Sequence, residues 1–443
     1  MVAFILSPAP STKQRGESPS LLTLMAYKLL TLTLLLSTTL AAQWEPGQTY
    51  REYLWVTPTE GGEAFLRVGG RFGYAAQPGK LPDSLQQGDQ LIFPQSIDLA
   101  GATRATLTFE KILGHEDSRD LQVAVNGHAP ISVPEPAAIP EPQTEYMYHT
   151  DITVEVPVEQ LREGHDNRYQ LTLDTAQRWG WPQNMFYAVI LRVYYPDVAA
   201  PVIDYAYDQV PGSSYLRIAD PRADDRAAHY ILVGEDIDWS GRGIQDRKHW
   251  QSHRGEPLHI IGSSDDGINH FAALWHTEWL PDQTSLGVQA RVLGADGKYR
   301  VSKVKEGLTL APRPYAVAVY GGEAPRNWVT RAGAFEQTLT VTDSVNKATA
   351  FQLAWVSWSP CYSNGVFLNG HLVWDRNDDC YVYATHLPTF DGEAVKYLEQ
   401  GDNVVSTALT PLFRGQMVHG MEVQWPGMQL KVRYGGPPGS SAH

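Results

Sequence analysis

One dipeptide constrains this chain more than anything else in it, because it occurs twice in the same surroundings. Val125-Asn126-Gly127-His128 recurs as Leu368-Asn369-Gly370-His371, and each asparagine stands 21 residues after an alanine, Ala105 or Ala348, that opens an apolar and β-branched run. Further landmarks follow in the same order. Tyr146-Met147-Tyr148-His149-Thr150 is matched by Tyr381-Val382-Tyr383-Ala384-Thr385. Leu161-Arg162-Glu163-Gly164 before Asn167 is matched by Leu398-Glu399-Gln400-Gly401 before Asn403. Leu191-Arg192-Val193-Tyr194-Tyr195 closes one copy and Leu430-Lys431-Val432-Arg433-Tyr434 the other. Asn-Gly between apolar runs is a hairpin signal, because both residues tolerate the positive φ of a type I′ turn. Leu-x-x-Gly with an asparagine shortly after is a short turn feeding the next strand. Ordered landmarks of this kind are the mark of an internal duplication. Each copy reads as an antiparallel sandwich of about eight strands, the first with an extra loop over Pro134–Pro142.

The rest of the chain agrees. Alternating or β-branched runs recur at short spacing from Ala105–Phe109 to Met428–Tyr434, separated by turn residues, which predicts an all-β chain. The 38 Gly, 30 Pro, 22 Tyr and 13 Trp suit turn-rich β structure better than helices. Helical period shows only at Val158–Arg162 and Ala394–Leu398, each in front of a glycine, as a single turn between strands would.

An apolar strand, Val/Leu-Asn-Gly, a second strand, then Leu-x-x-Gly and a nearby Asn before an alternating strand resembles the galactose-binding-like β-jelly roll, a fold widespread in bacterial carbohydrate-binding modules and in accessory domains of secreted glycan-degrading enzymes. Residues 43–197 and 325–434 carry the resemblance. The intervening 198–324 match neither copy; the part at about 259–311 resembles an immunoglobulin-like or fibronectin-III-like sandwich, and Tyr205–Arg254 read as polar and irregular. The expected architecture is two jelly-roll β-sandwiches flanking an immunoglobulin-like β-module. The fold hosts many functions, so function follows from it only weakly.

Leu29–Leu40, behind Lys28 and ahead of Ala41-Ala42, has the pattern of a secretory signal peptide and is shorter than a membrane span. Residues 1–42 are therefore expected to be an N-terminal extension and signal peptide cleaved near Ala42, with either Met1 or Met25 as the true start. The tail 435–443 reads as disordered. The expected location is secreted, periplasmic or cell-surface, with no membrane span in the mature protein. The net charge of -14, from 35 Lys+Arg against 49 Asp+Glu, argues against nucleic acid as a partner.

Cys361 and Cys380 bracket the second Asn-Gly hairpin. In an oxidising compartment they read as one disulfide, the alternatives being buried thiols or a thiol nucleophile. Asp375-Arg376-Asn377-Asp378-Asp379 sets oxygens of Asp375, Asn377, Asp378 and Asp379 on a tight loop, chemistry that suits Ca²⁺. It lacks the glycine and distal glutamate of an EF-hand, and a solvated acidic turn is the plainer account. The jelly-roll resemblance adds that such domains often hold a structural calcium; no cofactor is required. His249, His253, Glu256 and His259 are of metal-ligand type, but Gly255 and Pro257 break any helix there. Catalytic motifs such as Gly-x-Ser-x-Gly and His-Glu-x-x-His are absent. Glu116, Asp117, Glu235, Asp236 and Glu278 are weak candidates for a carboxylate pair.

Aromatic loops carry the stronger functional signal. Arg178-Trp179-Gly180-Trp181-Pro182 precedes the closing strand of the first copy, and Phe413-Arg414-Gly415 up to His419 is its counterpart in the second. Tryptophan stacks on the apolar faces of sugars while arginine bonds their hydroxyls, so Arg178, Trp179, Trp181, Arg414 and His419 are the candidate ligand residues. Packing of Trp179 and Trp181 against a neighbouring sandwich is the competing account. Three readings follow. The first is a secreted, non-catalytic or accessory protein that binds an extracellular glycan or polysaccharide. The second is an extracellular glycan-degrading hydrolase or lyase with its site where the jelly roll meets the middle domain. The third is a structural or adhesion protein of the cell surface.

Overall fold

A computed structural model describes residues 44–56, 66–68, 86–87, 90–92, 96–112, 120–135, 149–164, 167–172, 184–207, 212–233, 252–257, 260–281, 286–310, 313–380, 383–416, 419–424 and 427–435. Residues 42–443 form one compact unit. Among the described residues every helix is a short 3-10 turn, and all sheet pairings are antiparallel. The two stretches with helical period are such turns, Val158–Gln160 and Gly392–Tyr397. The leader pattern of residues 1–42 and the tail beyond 435 lie outside the described residues.

The duplication is visible as one strand order used twice. In the first copy Thr49–Val56, Asn184–Tyr195, Arg104–Ile112 and His149–Val156 lie side by side. Facing them are Gln90–Ile92, Arg168–Thr172, Gln122–Val125 and Ile131–Ser132. In the second copy Ala316–Tyr320, Gln429–Tyr434, Ala348–Trp358 and Tyr383–His386 form one sheet. Phe335–Val341, Gly401–Leu409, Ser363–Leu368 and His371–Trp374 form the other. Alternation along the strands fills both interiors. Leu107, Phe109, Val189, Leu191, Val123 and Tyr169 meet in the first, and Phe351, Leu353, Trp355, Leu430, Val405 and Leu368 in the second.

Both turns that define the repeat have the expected geometry. Asn126 and Gly127 have φ of 50° and 78°, and Asn369 and Gly370 have 49° and 81°. The asparagines do more than turn the chain. Asn126 Nδ2 donates to the Gln160 carbonyl (2.7 Å) and to Asn167 Oδ1 (3.0 Å), while its Oδ1 accepts from the Arg168 amide (2.9 Å). Asn369 repeats every bond, to the Tyr397 carbonyl (2.9 Å), Asn403 Oδ1 (2.9 Å) and the Val404 amide (2.8 Å). The buried Asn167 and Asn403 in turn pin the Leu-x-x-Gly turn by bonding both the amide and the carbonyl of Arg162 or Glu399. Each copy is thus clasped by two asparagines, which satisfy the main-chain groups of the turn.

The middle segment does not stand apart from the first sandwich. Thr49↔Arg300 and Tyr50↔Tyr299 pair across the join, so one sheet continues through Tyr299–Val301, Leu286–Gly294, Asp225–Val233 and Ile260–Ser264. A three-stranded sheet of Ile203–Tyr207, Ser213–Ile218 and Ala273–His276 packs against this part through Leu216, Ile218, Tyr230, Trp275 and Val288. The stretch expected to be polar and irregular therefore contains strands; the alternating burial of Ser213–Ile218 is their sign. Buried ions fasten the join. Glu52 bonds Arg192 (2.9 Å) and pairs with Arg291 (3.4 Å), and Arg291 Nε donates to His229 Nδ1 (3.1 Å). Arg291 also lies over the rings of Tyr299 (4.2 Å) and Trp44 (4.8 Å). Burial works against the Glu52 carboxylate, but Arg291 and Arg192 hold its pKa below the usual range. Burial, helped by Arg291, pushes the His229 imidazole down to about 4.

Candidate functional site

The second sandwich brings most of its sequence-predicted residues to one end. Cys361 and Cys380 are disulfide-bonded, with Cα atoms 5.3 Å apart. The bond ties the Pro360–Tyr362 turn to the acidic turn, and the Cys361 amide donates to the Asp379 carbonyl (3.1 Å). The ring of Tyr362 meets that of Phe413 edge-on at 4.9 Å, and the Thr410 amide donates to the Tyr362 carbonyl (3.0 Å). The Pro411–Phe413 turn is held in this way on a covalently braced base. It presents Leu412, 61% exposed, and an exposed Arg414 to solvent.

The acidic turn is internally bonded. Arg376 Nη1 lies 3.1 Å from Asp378 Oδ1, Asn377 Nδ2 donates to Asp379 Oδ2 (2.7 Å), and the Arg376 amide donates to Asp375 Oδ1 (2.8 Å). Among the described residues no three His, Cys, Asp or Glu side chains converge as metal ligands. Arg178, Trp179 and Trp181 lie outside the described residues, as do His249 and His259. Glu256 stands on a small hairpin of Ser252–His253 and Glu256–Pro257.

His419 leads from this end toward the first sandwich. Its ring meets Trp358 edge-on at 5.4 Å. Trp358 sits opposite Tyr383 on one neighbouring strand and Glu422 on the other, so the three share one face of the sheet. Tyr383 then meets Tyr187 of the first sandwich at 5.5 Å. Tyr187 is the extra residue of a bulge between Phe186 and Ala188, and Ala188 lies opposite Glu110. An aromatic row, His419, Trp358, Tyr383 and Tyr187, thus runs from the second sandwich to the first, with Glu422 beside Trp358 in register and Glu110 opposite the residue that follows Tyr187.

Both acids are buried. Burial pushes the Glu422 carboxyl up to about 8, with Arg331 opposing, and its Oε1 has no hydrogen-bond partner among the described residues. Burial likewise raises Glu110, although its carboxylate accepts the amides of Arg254 (2.5 Å) and Gly255 (3.0 Å). Beside it in register stands Asp151, which takes the amide and hydroxyl of Ser252, each at 3.0 Å. Two neighbouring carboxylates therefore grip one hairpin tip. Gly255 sits there with φ of 79°, where an added Cβ would fall 2.4 Å from Leu54 Cδ2. The weak acidic candidates Glu116, Asp117, Glu235 and Asp236 lie outside the described residues, and Glu278 is exposed. Glu422 had one sign in the sequence, a lone acid between apolar residues at Met421-Glu422-Val423, whereas Glu110 stands next to Lys111 in Phe109-Glu110-Lys111-Ile112 and carries no such mark.

No protein-family model matches the chain, and no curated protein matches it in sequence. Among solved structures it is similar to the wild-type protein BuGH86 in complex with neoagarooctaose, at 9% identity and a TM-score of 0.22, over 53% of this chain and 32% of that one. The chain thus spans about a third of the length of BuGH86. It is also similar to exo-β-1,3-galactanase from Phanerochaete chrysosporium with galactose, at 9% identity and a TM-score of 0.15, over 89% and 99% of the two chains. A third similarity is to T=1 particles derived from infectious bursal virus, at 9% identity and a TM-score of 0.15, over 78% and 71%. None of these likenesses is close enough to assign a function.

Proposed function

We propose that the protein binds an extracellular glycan at the disulfide-braced end of the second sandwich. The carrying observation is the Leu412-Phe413-Arg414 loop, fixed at its base by Tyr362 and exposed at its tip. A rigid base under an apolar and cationic tip suits a ligand with flat C–H faces and many hydroxyls. The strand order shared by the two copies supports a jelly-roll reading of both, and the disulfide supports export. A glycan-array screen, run with calcium and with EDTA, tests this. Binding that is lost in Arg414→Ala or Phe413→Ala supports the assignment, and loss in EDTA adds calcium at Asp375–Asp379. Silence toward every glycan in both conditions sinks it.

A second reading has its own support. Glu422 is a carboxylic acid held protonated near neutral pH beside an aromatic row at a sandwich junction, and a proton donor of that kind is what glycoside cleavage needs. The measurement is release of new reducing ends from the glycans that bind. Turnover that Glu422→Gln abolishes while binding survives makes the protein a hydrolase; binding without turnover leaves it a binding protein.

A further inference from the structure

We infer that Asn126 and Asn369 are latent modification sites, shielded from loss of their side-chain amides while the chain is folded and open to it once the chain unfolds. The chemistry follows from the sequence. In an Asn-Gly pair the backbone nitrogen of the glycine can attack the asparagine Cγ, because the glycine has no Cβ to hinder the approach. A Cγ–N bond forms, the Cγ–Nδ2 bond breaks and ammonia leaves. Water then opens the cyclic imide to aspartate or isoaspartate, so the step needs no oxidant and no cofactor. The chain has three such pairs, Asn126-Gly127, Asn364-Gly365 and Asn369-Gly370.

The fold holds both repeat asparagines away from this reaction. Cγ must turn toward the glycine nitrogen, and at each repeat turn it is held on both sides. Asn126 Nδ2 is engaged by the Gln160 carbonyl and Asn167 Oδ1, while its own Oδ1 takes the Arg168 amide. Asn369 is engaged in the same way by the Tyr397 carbonyl, Asn403 Oδ1 and the Val404 amide. Three hydrogen bonds must break together before either residue reacts. Their partners Asn167 and Asn403 are 1% and 0% exposed and are themselves bonded to the Leu-x-x-Gly turns, so the hold is a network and not a single contact.

The same bonds make the product unfit for the fold. Both hydrogens of Nδ2 are spent on acceptors. An aspartate puts a second oxygen there, 2.7 Å and 3.0 Å from two oxygens in the first copy and 2.9 Å from each of two in the second. Neither partner atom can donate to it. Asn364 is different, because it uses its oxygen: Oδ1 accepts the Ala408 amide (2.8 Å), and an aspartate keeps that acceptor. Conversion at the repeat turns therefore makes unfolding a one-way event.

The test ages the full chain at mildly alkaline pH, folded in buffer and unfolded in guanidinium chloride, and reads the mass gain of one dalton by peptide mapping. Short synthetic peptides of the two Asn-Gly sequences, aged in both solutions, correct for the solvent. Asn126 and Asn369 convert at least about tenfold more slowly in the folded chain than in the unfolded one. Asn126→Asp and Asn369→Asp each lower the melting temperature by more than about 5 °C near neutral pH, whereas Asn364→Asp stays within about 2 °C of the parent. The proposal is overturned if either repeat asparagine converts in the folded parent as fast as its peptide does, if Asn126→Asp and Asn369→Asp both melt like the parent, or if Asn364→Asp is destabilised as much as they are. The first of these arms uses the parent alone, so it decides even where a variant fails to fold.

Discussion

Single asparagines decide whether each copy closes. Asn403 makes bonds to the Glu399 amide, the Glu399 and Gly401 carbonyls and the Asn369 side chain, all out of water. Replacing it by alanine strands each of those partners. Asn403→Ala should therefore destabilise the second sandwich by about 2–4 kcal/mol, and Asn167→Ala the first by a similar amount, as read by urea unfolding. A loss below about 0.5 kcal/mol, the range of ordinary surface changes, would mean the turn holds without its clasp. Glu422 works in the opposite sense. Its carboxyl is raised by burial to about 8 in the folded chain, so the folded state keeps a proton that the unfolded state releases. Stability is then lost as pH rises from the unfolded value through about 8. Glu422→Gln removes the ionisable group and should make the protein more stable than the parent at pH 9, with little difference at pH 5.

Elements are placed by contacts of very different reach. The hairpin of Ser252–His253 and Glu256–Pro257 is docked by the carboxylates of Glu110 and Asp151, more than a hundred residues away in the chain. Gly255→Ala puts a side chain at positive φ and into Leu54. It should undock the tip, at a cost of about 1–3 kcal/mol, and speed hydrogen exchange at the amides of residues 254 and 255. Unchanged exchange there would show that the grip on Glu110 is dispensable. The disulfide acts over 19 residues. Its reduction should lower stability by about 3 kcal/mol in the chain-entropy picture and, by loosening the base under Phe413, weaken glycan binding. These reaches also explain what was legible in the sequence. The Asn-Gly turns, the paired landmarks and the cysteine pair depend on neighbours or on a repeated spacing, and the sequence shows them. The continuity of the sheet through Thr49↔Arg300 and the row from His419 to Tyr187 join positions more than two hundred residues apart. No local pattern marks such partners, and a glutamate in an apolar run looks the same whether it ends a strand or is buried beneath another sandwich.

At the scale of the molecule, opposite kinds of buried group shape one pH profile. His386 is pushed down to about 4 by burial while its Nε2 lies 2.9 Å from Ser357 Oγ, and His229 is down to about 4 by burial and Arg291. Such histidines stay neutral when folded, so their share of stability is present above pH 6.5 and is lost as pH falls from there toward 4. The raised glutamic acids behave inversely, losing their share as pH climbs from about 4.5 to about 8. Between about 4.5 and 6.5 the unfolded chain gives up protons at the glutamates and keeps them at the histidines, relative to the folded chain, and the two slopes offset each other. From 6.5 upward only the glutamates act. The expected profile is nearly flat from about pH 5 to 6.5, then descends toward pH 8.5. Urea-unfolding free energies at half-unit pH steps measure it. The Glu110→Gln, Glu422→Gln double variant should level the alkaline descent, and in the parent's histidine background it should expose a rise in stability between pH 5 and 6.5. A parent whose stability stays level from pH 6.5 to 8.5 would show that the two acids ionise freely in the folded protein, and would remove the proton donor on which the hydrolase reading depends.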